Sequence, residues 1–568
     1  MRDTHNQYIQ YLFFYLEFDS CIIYHRQNLD NTLQDYQIQK SFFLLRLENA
    51  WKIANFRRIK VIKKVSNPFI NSIVSWFLKK RSHQIDLFIK YPNEVQNDVL
   101  INLINTAKDT EIGKEFDFKS IKNYRDFSNR IPVFKYEDFS EKISRARKGE
   151  DNIFWPSKIK WFAQSSGTTN SKSKFIPVSH ESLEECHYAA SKDLLCMYLN
   201  NNEDSMLFAG KSLRLGGSKS PYKKNDTYYG DLSAILIDNM PIWFEYSSTP
   251  STKTTLIPDW ENKIKAIINE TALENVTSLA GVPSWMLVVL NRILEKTNNK
   301  KIIDIWPNLE VYFHGGVNFK PYINQYQKII GDDNMKYYEI YNASEGFFAI
   351  QSENNSDELL LMLDYGIYYE FIPMDSYNSK EKLIIPLEDI EINKNYAIVI
   401  STNAGLWRYE IGDTIKFTSI NPYKIVVTGR TKHYINVFGE EVIVENTDKT
   451  ISKLCKQYNL EIVDYTVAPI FMKGKEKGGH QWFIEFKNSV PNNLDIEKKI
   501  DESLKNENSD YEAKRHKDFT LNPPKVILGN SGVFLKWLKK NNKIGGQNKV
   551  PRLSNDRIFI EELIELNI

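Results

Sequence analysis

The chain lacks most of the features that usually reveal a function at first reading. It has only four cysteines in 568 residues. Cys21, Cys186, Cys196 and Cys455 form no C-x-x-C pair, which excludes the common zinc and dithiol motifs. Cysteines so few and scattered suit a reducing compartment. No apolar run approaches the ~18 residues that a spanning helix needs. The N-terminus lacks the basic segment, apolar stretch and small-residue cleavage site of an export signal. A cytoplasmic protein with no membrane span is therefore expected. Charge is almost balanced at +2, so no global field recommends nucleic acid as a partner. No two glycines stand two residues apart, so there is no G-x-G-x-x-G fingerprint. The nearest approach to a Walker A loop, Gly210-Lys211-Ser212, has Ser205 in place of the first glycine. No G-x-S-x-G elbow occurs, which argues against a serine hydrolase of that type.

What is present is ordinary globular material, 42% hydrophobic and 26% charged, in a length that suits two to four domains. One segment stands out. Gln164-Ser165-Ser166-Gly167-Thr168-Thr169-Asn170-Ser171-Lys172-Ser173-Lys174 lies between two strand-like runs, Ile159–Ala163 and Phe175–Val178. Hydroxyls donate to anionic oxygens, glycine admits close backbone approach, and lysines add positive charge. Successive backbone N–H groups in such a turn form an anion-binding nest. Taken alone, a Ser/Thr/Gly-rich turn is more often a plain connector.

Residues 1–65 read as an appended, poorly ordered extension, with a basic stretch from Arg57 to Lys64 that also suits a membrane-surface or nucleic-acid arm. Beyond it, Ile73–Ile89 has helical spacing, and Ser179 is a good N-cap for a helix through Leu199. Strands are predicted at Met206–Ala209, Thr277–Ala280, Leu309–Phe313 and Lys336–Tyr341. Helices are predicted at Trp260–Ala272, after Pro283, and at Pro321–Ile330. This alternation implies parallel pairing, with ligands gathered at strand carboxyl ends. From Leu359 the pattern changes to short, antiparallel-looking strands: Leu359–Leu363, Tyr368–Ile372, Tyr396–Ser401, Thr414–Phe417 and Lys424–Val427. After Arg430 a smaller unit begins, with helices at Val444–Tyr458, Leu494–Lys505 and Phe534–Leu538, and strands at Tyr434–Val437, Ile462–Ala468 and Trp482–Phe486.

Six short motifs follow in order: Ser165-Ser166-Gly167-Thr168-Thr169, His314-Gly315-Gly316, Tyr341-Asn342-Ala343-Ser344-Glu345-Gly346, Tyr409-Glu410-Ile411-Gly412-Asp413, Gly429-Arg430-Thr431-Lys432 and Gln547-Asn548-Lys549-Val550-Pro551-Arg552. Each is weak alone; the ordered set is specific. It resembles the acyl-adenylate-forming superfamily. Within it, the chain is most similar to the acyl-acid amido synthetases, the plant auxin-responsive family and its bacterial relatives. The Ser-Ser-Gly-Thr-Thr loop, Leu406-Trp407-Arg408-Tyr409 and Lys549-Val550-Pro551-Arg552 carry that closer resemblance, which covers roughly residues 70–568.

The resemblance implies an α/β fold. A large adenylate-forming domain, with parallel and mixed sheets and a β-rich subdomain, would span 66–430. A small mobile α+β domain would span 431–568, with a hinge near Arg430–Lys432. It implies an ATP-dependent ligase that activates a carboxylic acid as acyl-AMP, releases pyrophosphate, and passes the acyl group to an amino acid amine. Ser165, Ser166, Gly167, Thr168 and Thr169 would grip phosphates. Gly315 and Gly316 would lie against adenine, with Tyr341 near the base. Ser344 would approach the α-phosphate or the acyl carboxylate. Glu345 would hold Mg²⁺, which normally takes one or two carboxylates plus substrate phosphates. Asp413 would accept the ribose hydroxyls, Arg430 would add a ribose or phosphate contact, and Lys549 would be the mobile catalytic cation.

Two positions depart from the family pattern. Asn342 stands where relatives often have glycine, and Glu410 where many carry arginine. An acyl- or aryl-CoA ligase shares the first half-reaction and stays open as the alternative. A non-catalytic nucleotide-binding protein would be expected to have lost Glu345, Asp413 or Lys549; all three are present. Gly281–Met286 and the apolar helix that follows are candidates to line the acyl pocket, though a core helix reads equally well; Arg214 is a candidate to pair with a substrate carboxylate, though a solvated loop arginine reads at least as well.

Overall fold

The computed structural model describes residues 81–567 apart from 166–173, 217–220, 225, 241–244, 246, 258, 317–318, 321, 378, 380, 432–433, 436–439, 441, 472–477, 509–510, 513–514, 516–520, 542 and 544–549. Expectations for residues 1–65, for Ser166–Thr169 and for Lys549 therefore fall outside the described residues. Residues 67–568 form one compact unit by their internal contacts.

Helices open the described chain: Ser82–Lys90, Pro92–Ala107, Tyr124–Arg130 and Tyr136–Ala146. The hydroxyl-rich segment then joins two strands, β1 (Trp161–Ser165) and β2 (Lys174–Val178), which pair antiparallel with Ser165 opposite Lys174. Ser179 caps the helical run that follows, accepting from the Ser182 N–H at 2.9 Å. That run is π-helical over Ser182–Tyr188 and becomes α1 over Ala189–Asn201.

The strand expected at Met206–Ala209 is not one: Leu207–Ala209 is a 3₁₀ turn, and the strand β3 comes later, at Lys211–Arg214. The Glu310 carboxylate explains the difference. It accepts from the Met206 N–H at 3.0 Å and from the Ser205 hydroxyl, holding the segment in a turn. β4 (Tyr222–Lys224) and β5 (Thr227–Gly230) join β1 and β2 in a four-stranded sheet. α2 (Leu232–Asp238) and β6 (Ser248–Thr249) follow.

The parallel expectation is met by β3, β6, β7 (Val276–Gly281), β8 (Val311–Gly315) and β9 (Lys336–Ala343), in spatial order β6-β3-β7-β8-β9. Parallel neighbours need crossovers, and helices supply them. α3 (Trp260–Thr271) is capped by Asp259, which accepts from the Asn262 N–H at 2.8 Å. α4 (Pro283–Thr297) starts with proline at its first position, where the missing N–H costs nothing. α5 (Ile323–Ile330) ends at Gly331 in the left-handed region, φ 77°.

At β9 the sheet changes character. The chain turns through Ser344-Glu345 and returns antiparallel as β10 (Gly346–Gln351), with Ala343 opposite Gly346. β11 (Leu359–Leu361), β12 (Ile367–Pro373), β13 (Ile385–Pro386), β14 (Asn395–Thr402), β15 (Tyr409–Ile420) and β16 (Tyr423–Arg430) are all antiparallel to their neighbours. The two halves make a single 12-stranded sheet rather than two separate ones.

The C-terminal part is α+β. A three-stranded sheet is formed by Ile462–Ile470, Gly479–Phe486 and Lys525–Leu528. Helices Val444–Tyr458, Ile496–Glu507, Val533–Lys540 and Ile558–Leu566 accompany it. It packs on α5, where the Gln325 amide donates to the Ile462 carbonyl at 2.8 Å.

Candidate active site

Strand alternation places the chemistry. Along β9 successive residues face opposite sides, and the Ser344-Glu345 turn lies where the parallel half meets the antiparallel half. Three strands lie between β9 and β15 in the sheet order, yet the Tyr341 hydroxyl donates to Asp413 Oδ2 at 2.9 Å. The sheet therefore curls until the two strands face each other. Arg430, opposite Asp413 in the β15–β16 ladder, pairs its Nε with Asp413 Oδ1 at 2.7 Å. Gly412, just before Asp413, has φ 92°, and its carbonyl accepts from the Thr431 N–H at 2.8 Å. Only glycine adopts that backbone freely.

Glu345 sits beside this pair. The Tyr409 hydroxyl stands 3.5 Å from its Oε1, and the Lys174 ammonium stands 3.4 Å from that same hydroxyl. Burial raises the Glu345 carboxyl above its ordinary pKa; Lys174 pulls it down and Asp413 pushes it up. Asp413 in turn raises the guanidinium of Arg430. Burial and the Asp413 charge raise the Tyr341 phenol, so it remains a donor. The Tyr341 residue is 8% exposed, and its ring centroid lies 4.9 Å from that of Phe348.

Gly315 and Gly316 end β8. A Cβ at Gly315 would stand 2.6 Å from the Ile340 carbonyl oxygen, so the close β8–β9 approach requires glycine. Gly316 has φ 82°. The preceding His314 is buried on the opposite face, stacked at 4.1 Å on Phe319, and burial pushes its pKa down to about 3. Gly315, Gly316, Asn342 and Ser344 line one end of a cavity of ≈ 360 Å³. Gly281 and Val282 also line it, whereas Met286 and Trp285 are packed in hydrophobic cores. Arg214 is not a solvated loop residue: it ends β3 and lines the same cavity.

The structure thus brings together Tyr341, Glu345, Asp413 and Arg430, while Gly315, Gly316 and Ser344 line a cavity close by. The backbone of Ser165 ends β1, and Lys174 opens β2. Lys549 lies outside the described residues, but its successors are fixed. Val550 is buried, the Pro551 carbonyl accepts from Thr466 at 2.6 Å, and Arg552 pairs with Asp464. Among the described residues no cluster of three or more His, Cys, Asp or Glu could hold a metal by itself.

The sequence reading missed two contributors. Lys174 was visible as the last cation of the hydroxyl-rich segment, and Tyr409 as the start of its motif, but nothing local shows that they meet. It also gave no role to the buried pair of Arg408 with Glu370, at 2.8 and 2.7 Å. Arg408 donates as well to the carbonyls of Ser128 and Ile131, which ties the first helices to the root of β15.

Comparison with known proteins agrees with this architecture. Residues 81–335 match the GH3 family N-terminal domain, 360–430 the GH3 family central domain and 445–558 the GH3 family C-terminal domain. Indole-3-acetic acid-amido synthetase GH3.4 of Arabidopsis thaliana is 23% identical, over 82% of this chain and 90% of that protein. The solved structure of the GH3.15 acyl acid amido synthetase superposes with a TM-score of 0.71 at 17% identity, covering 89% of this chain and 97% of that one. A 2-hydroxyisobutyryl-CoA ligase in its postadenylation state shares the fold more distantly, with a TM-score of 0.51 at 13% identity, over 87% and 92% of the two chains. With all three domains matched in order, the chain belongs to the GH3 family.

Proposed function

We propose that this protein is an ATP-dependent acid–amino acid ligase working through an acyl-adenylate. The observation that carries the reading is the cluster at the Ser344-Glu345 turn. A ribose-type carboxylate (Asp413 within β15, held by Tyr341 and Arg430) and a second carboxylate (Glu345, at the β9–β10 turn) lie close to Ser344, which lines the cavity. Its relatives are named amido synthetases.

In this reading Asp413 accepts the ribose hydroxyls on lone pairs not used by Tyr341 and Arg430. Gly315 and Gly316 admit adenine against the backbone, with Tyr341 beside it. Ser165, Ser166, Gly167, Thr168 and Thr169 hold the β- and γ-phosphates. The acid's carboxylate oxygen attacks the α-phosphorus and pyrophosphate leaves; Ser344 and Lys549 stabilise the charge that develops there. An amine then attacks the acyl carbonyl, the acyl carbon–oxygen bond to the phosphate breaks, AMP leaves with that oxygen, and the amine nitrogen sheds a proton. Glu345 fits Mg²⁺ chemically. It is a carboxylate at the β9–β10 turn, a hard oxygen donor of the kind Mg²⁺ takes singly beside phosphates and water. When bound, that ion neutralises phosphate charge. The domain division at about 430, a C-terminal domain that rotates between half-reactions, and a cytoplasmic setting belong to the same reading. The rotation brings Lys549 in for the first step and clears the way for the amine in the second.

The test is acid-dependent exchange of pyrophosphate into ATP, followed by mass analysis of products formed with amino acids and with CoA. Amide formation supports the reading. Thioester formation selects the CoA-ligase alternative, and exchange with no acid removes both.

A further inference from the structure

Two residues of the cavity wall belong to a second structure as well. Leu215, just past β3, and Val282, between β7 and α4, line the cavity, and both also pack against a separate apolar cluster. That cluster joins two parts of the chain. Trp285 enters it from the first turn of α4, and Phe483, Phe534, Trp537 and Val550 enter it from the C-terminal part. The C-terminal part therefore rests on residues that the cavity uses as its wall. Trp285 itself does not line the cavity.

The wall is firmly held at this point. Gly281 has φ 150°, and a Cβ there would stand 3.0 Å from the Leu215 carbonyl oxygen, so the two segments approach closely. The Leu215 N–H donates to the Ala280 carbonyl at 2.9 Å. The Tyr312 hydroxyl donates to the Gly281 carbonyl at 2.9 Å, and the Tyr326 hydroxyl to that of Pro283 at 2.7 Å. Val282 thus lies between two anchored carbonyls, and close packing transmits a shift of its side chain instead of absorbing it. The other side of the cluster is fixed too. Val550, which follows Lys549 in the chain, is 4% exposed. The Val467 N–H donates to the Arg552 carbonyl at 2.9 Å, and Arg552 Nη2 donates to the Tyr322 hydroxyl at 3.2 Å, across to the larger part.

Resting on the proposed adenylation, we infer that Leu215, Val282 and Trp285 form a seat that couples filling of the cavity by the acid to docking of the C-terminal part. Side chains with no partner atoms on one side lose those contacts outright. An acid with an apolar body steadies Leu215 and Val282, and through them the cluster that holds Trp537 and Val550. An acid too short to touch them binds without this effect. Trp285 is a positioning residue: it acts on the acid through its neighbours. The coupling is reciprocal, so docking favours the acid by the factor with which the acid favours docking.

The test uses the full chain with acetic, octanoic and phenylbutyric acids as probes, read by calorimetry and by amide hydrogen–deuterium exchange. The two longer acids are expected to slow deuteration of the helix Val533–Lys540 about fivefold or more, and acetic acid to leave it unchanged. Trp285→Leu should abolish that slowing and weaken binding of the longer acids about fivefold or more, while Trp285→Phe restores most of both. Val550→Ala, on the other side of the seat, should act in the same direction as Trp285→Leu. If Trp285→Leu does not fold, Val550→Ala and the wild-type deuteration decide. A longer acid that binds and leaves Val533–Lys540 deuterating at its free rate overturns the inference. So does an affinity for the longer acids that neither variant changes, and so does failure of both longer acids to bind. Any of these results alongside acid-dependent pyrophosphate exchange refutes the coupling and leaves adenylation standing. Seat-dependent slowing with no pyrophosphate exchange for any acid does the reverse.

Discussion

At the scale of single residues, the account turns on groups whose charge is set by a partner. Asp413 receives a hydrogen bond on each carboxylate oxygen, from Tyr341 and from Arg430. Asp413→Asn keeps the shape but removes the charge, so its contact with ribose falls to that of a neutral acceptor. The ATP KM in pyrophosphate exchange should rise about 10- to 100-fold, the worth of a charge-assisted bond. Lys549→Ala should lower the rate of exchange by about 10²–10³, the usual loss of one donor to developing charge. Glu345, Asp413, Tyr341 and Arg430 were singled out by the ordered motif set, and the structure brings the four together; their roles belong to the proposed reaction. The meeting of Lys174 with Tyr409 was not legible, since their approach spans 235 positions of sequence and depends on the curl of the sheet. The same holds for Arg408 and Glu370. Each reads as a surface charge, yet both are almost wholly buried. Glu370→Gln leaves the guanidinium without its counter-charge, and stability should fall by about 3–5 kcal/mol in denaturant titration.

Among the elements, those with strong local signals stand where the pattern put them. Val444–Tyr458 is a helix over those residues, and α4 begins at Pro283 as its proline required. Strand β3 was misplaced because the deciding contact, Glu310 on Met206, comes from a distant strand approach. The π-helical turn at Ser182–Tyr188 also carries no local sequence mark. Two histidines in these elements give a prediction about pH. Burial lowers His187 to about 4 and His314 to about 3 from an ordinary 6.5, and neither Nδ1 has a hydrogen-bond partner among the described residues. Below about 6.5 the unfolded chain takes up protons that the folded chain refuses. Their contribution to stability is therefore complete above that pH and is lost as pH falls toward the folded values. The slope should approach about 1.4 kcal/mol per pH unit for each histidine. Chemical denaturation between pH 4 and 7 should show it (roughly the window of these two groups), and His314→Gln should flatten it.

On the scale of the whole molecule, alternating strands and helices followed by short strands correctly implied a parallel region and an antiparallel one. That they form one curled sheet was not legible, because sheet continuity is set by the β9–β10 hairpin and by the short β11 between distant strands. This continuity lets Asp413 and Glu345 meet. The proposed rotation of the C-terminal part should appear as two orientations, in crystals grown with ATP and with AMP plus an amine. A single fixed orientation in both would remove that part of the account. The route of the acyl oxygen tests the central claim most directly. A carboxylic acid labelled with ¹⁸O in both oxygens, turned over with ATP and an amino acid, should place one label in AMP and retain the other in the amide. Label in inorganic phosphate with ADP as co-product, or no label in AMP, would contradict an acyl-adenylate.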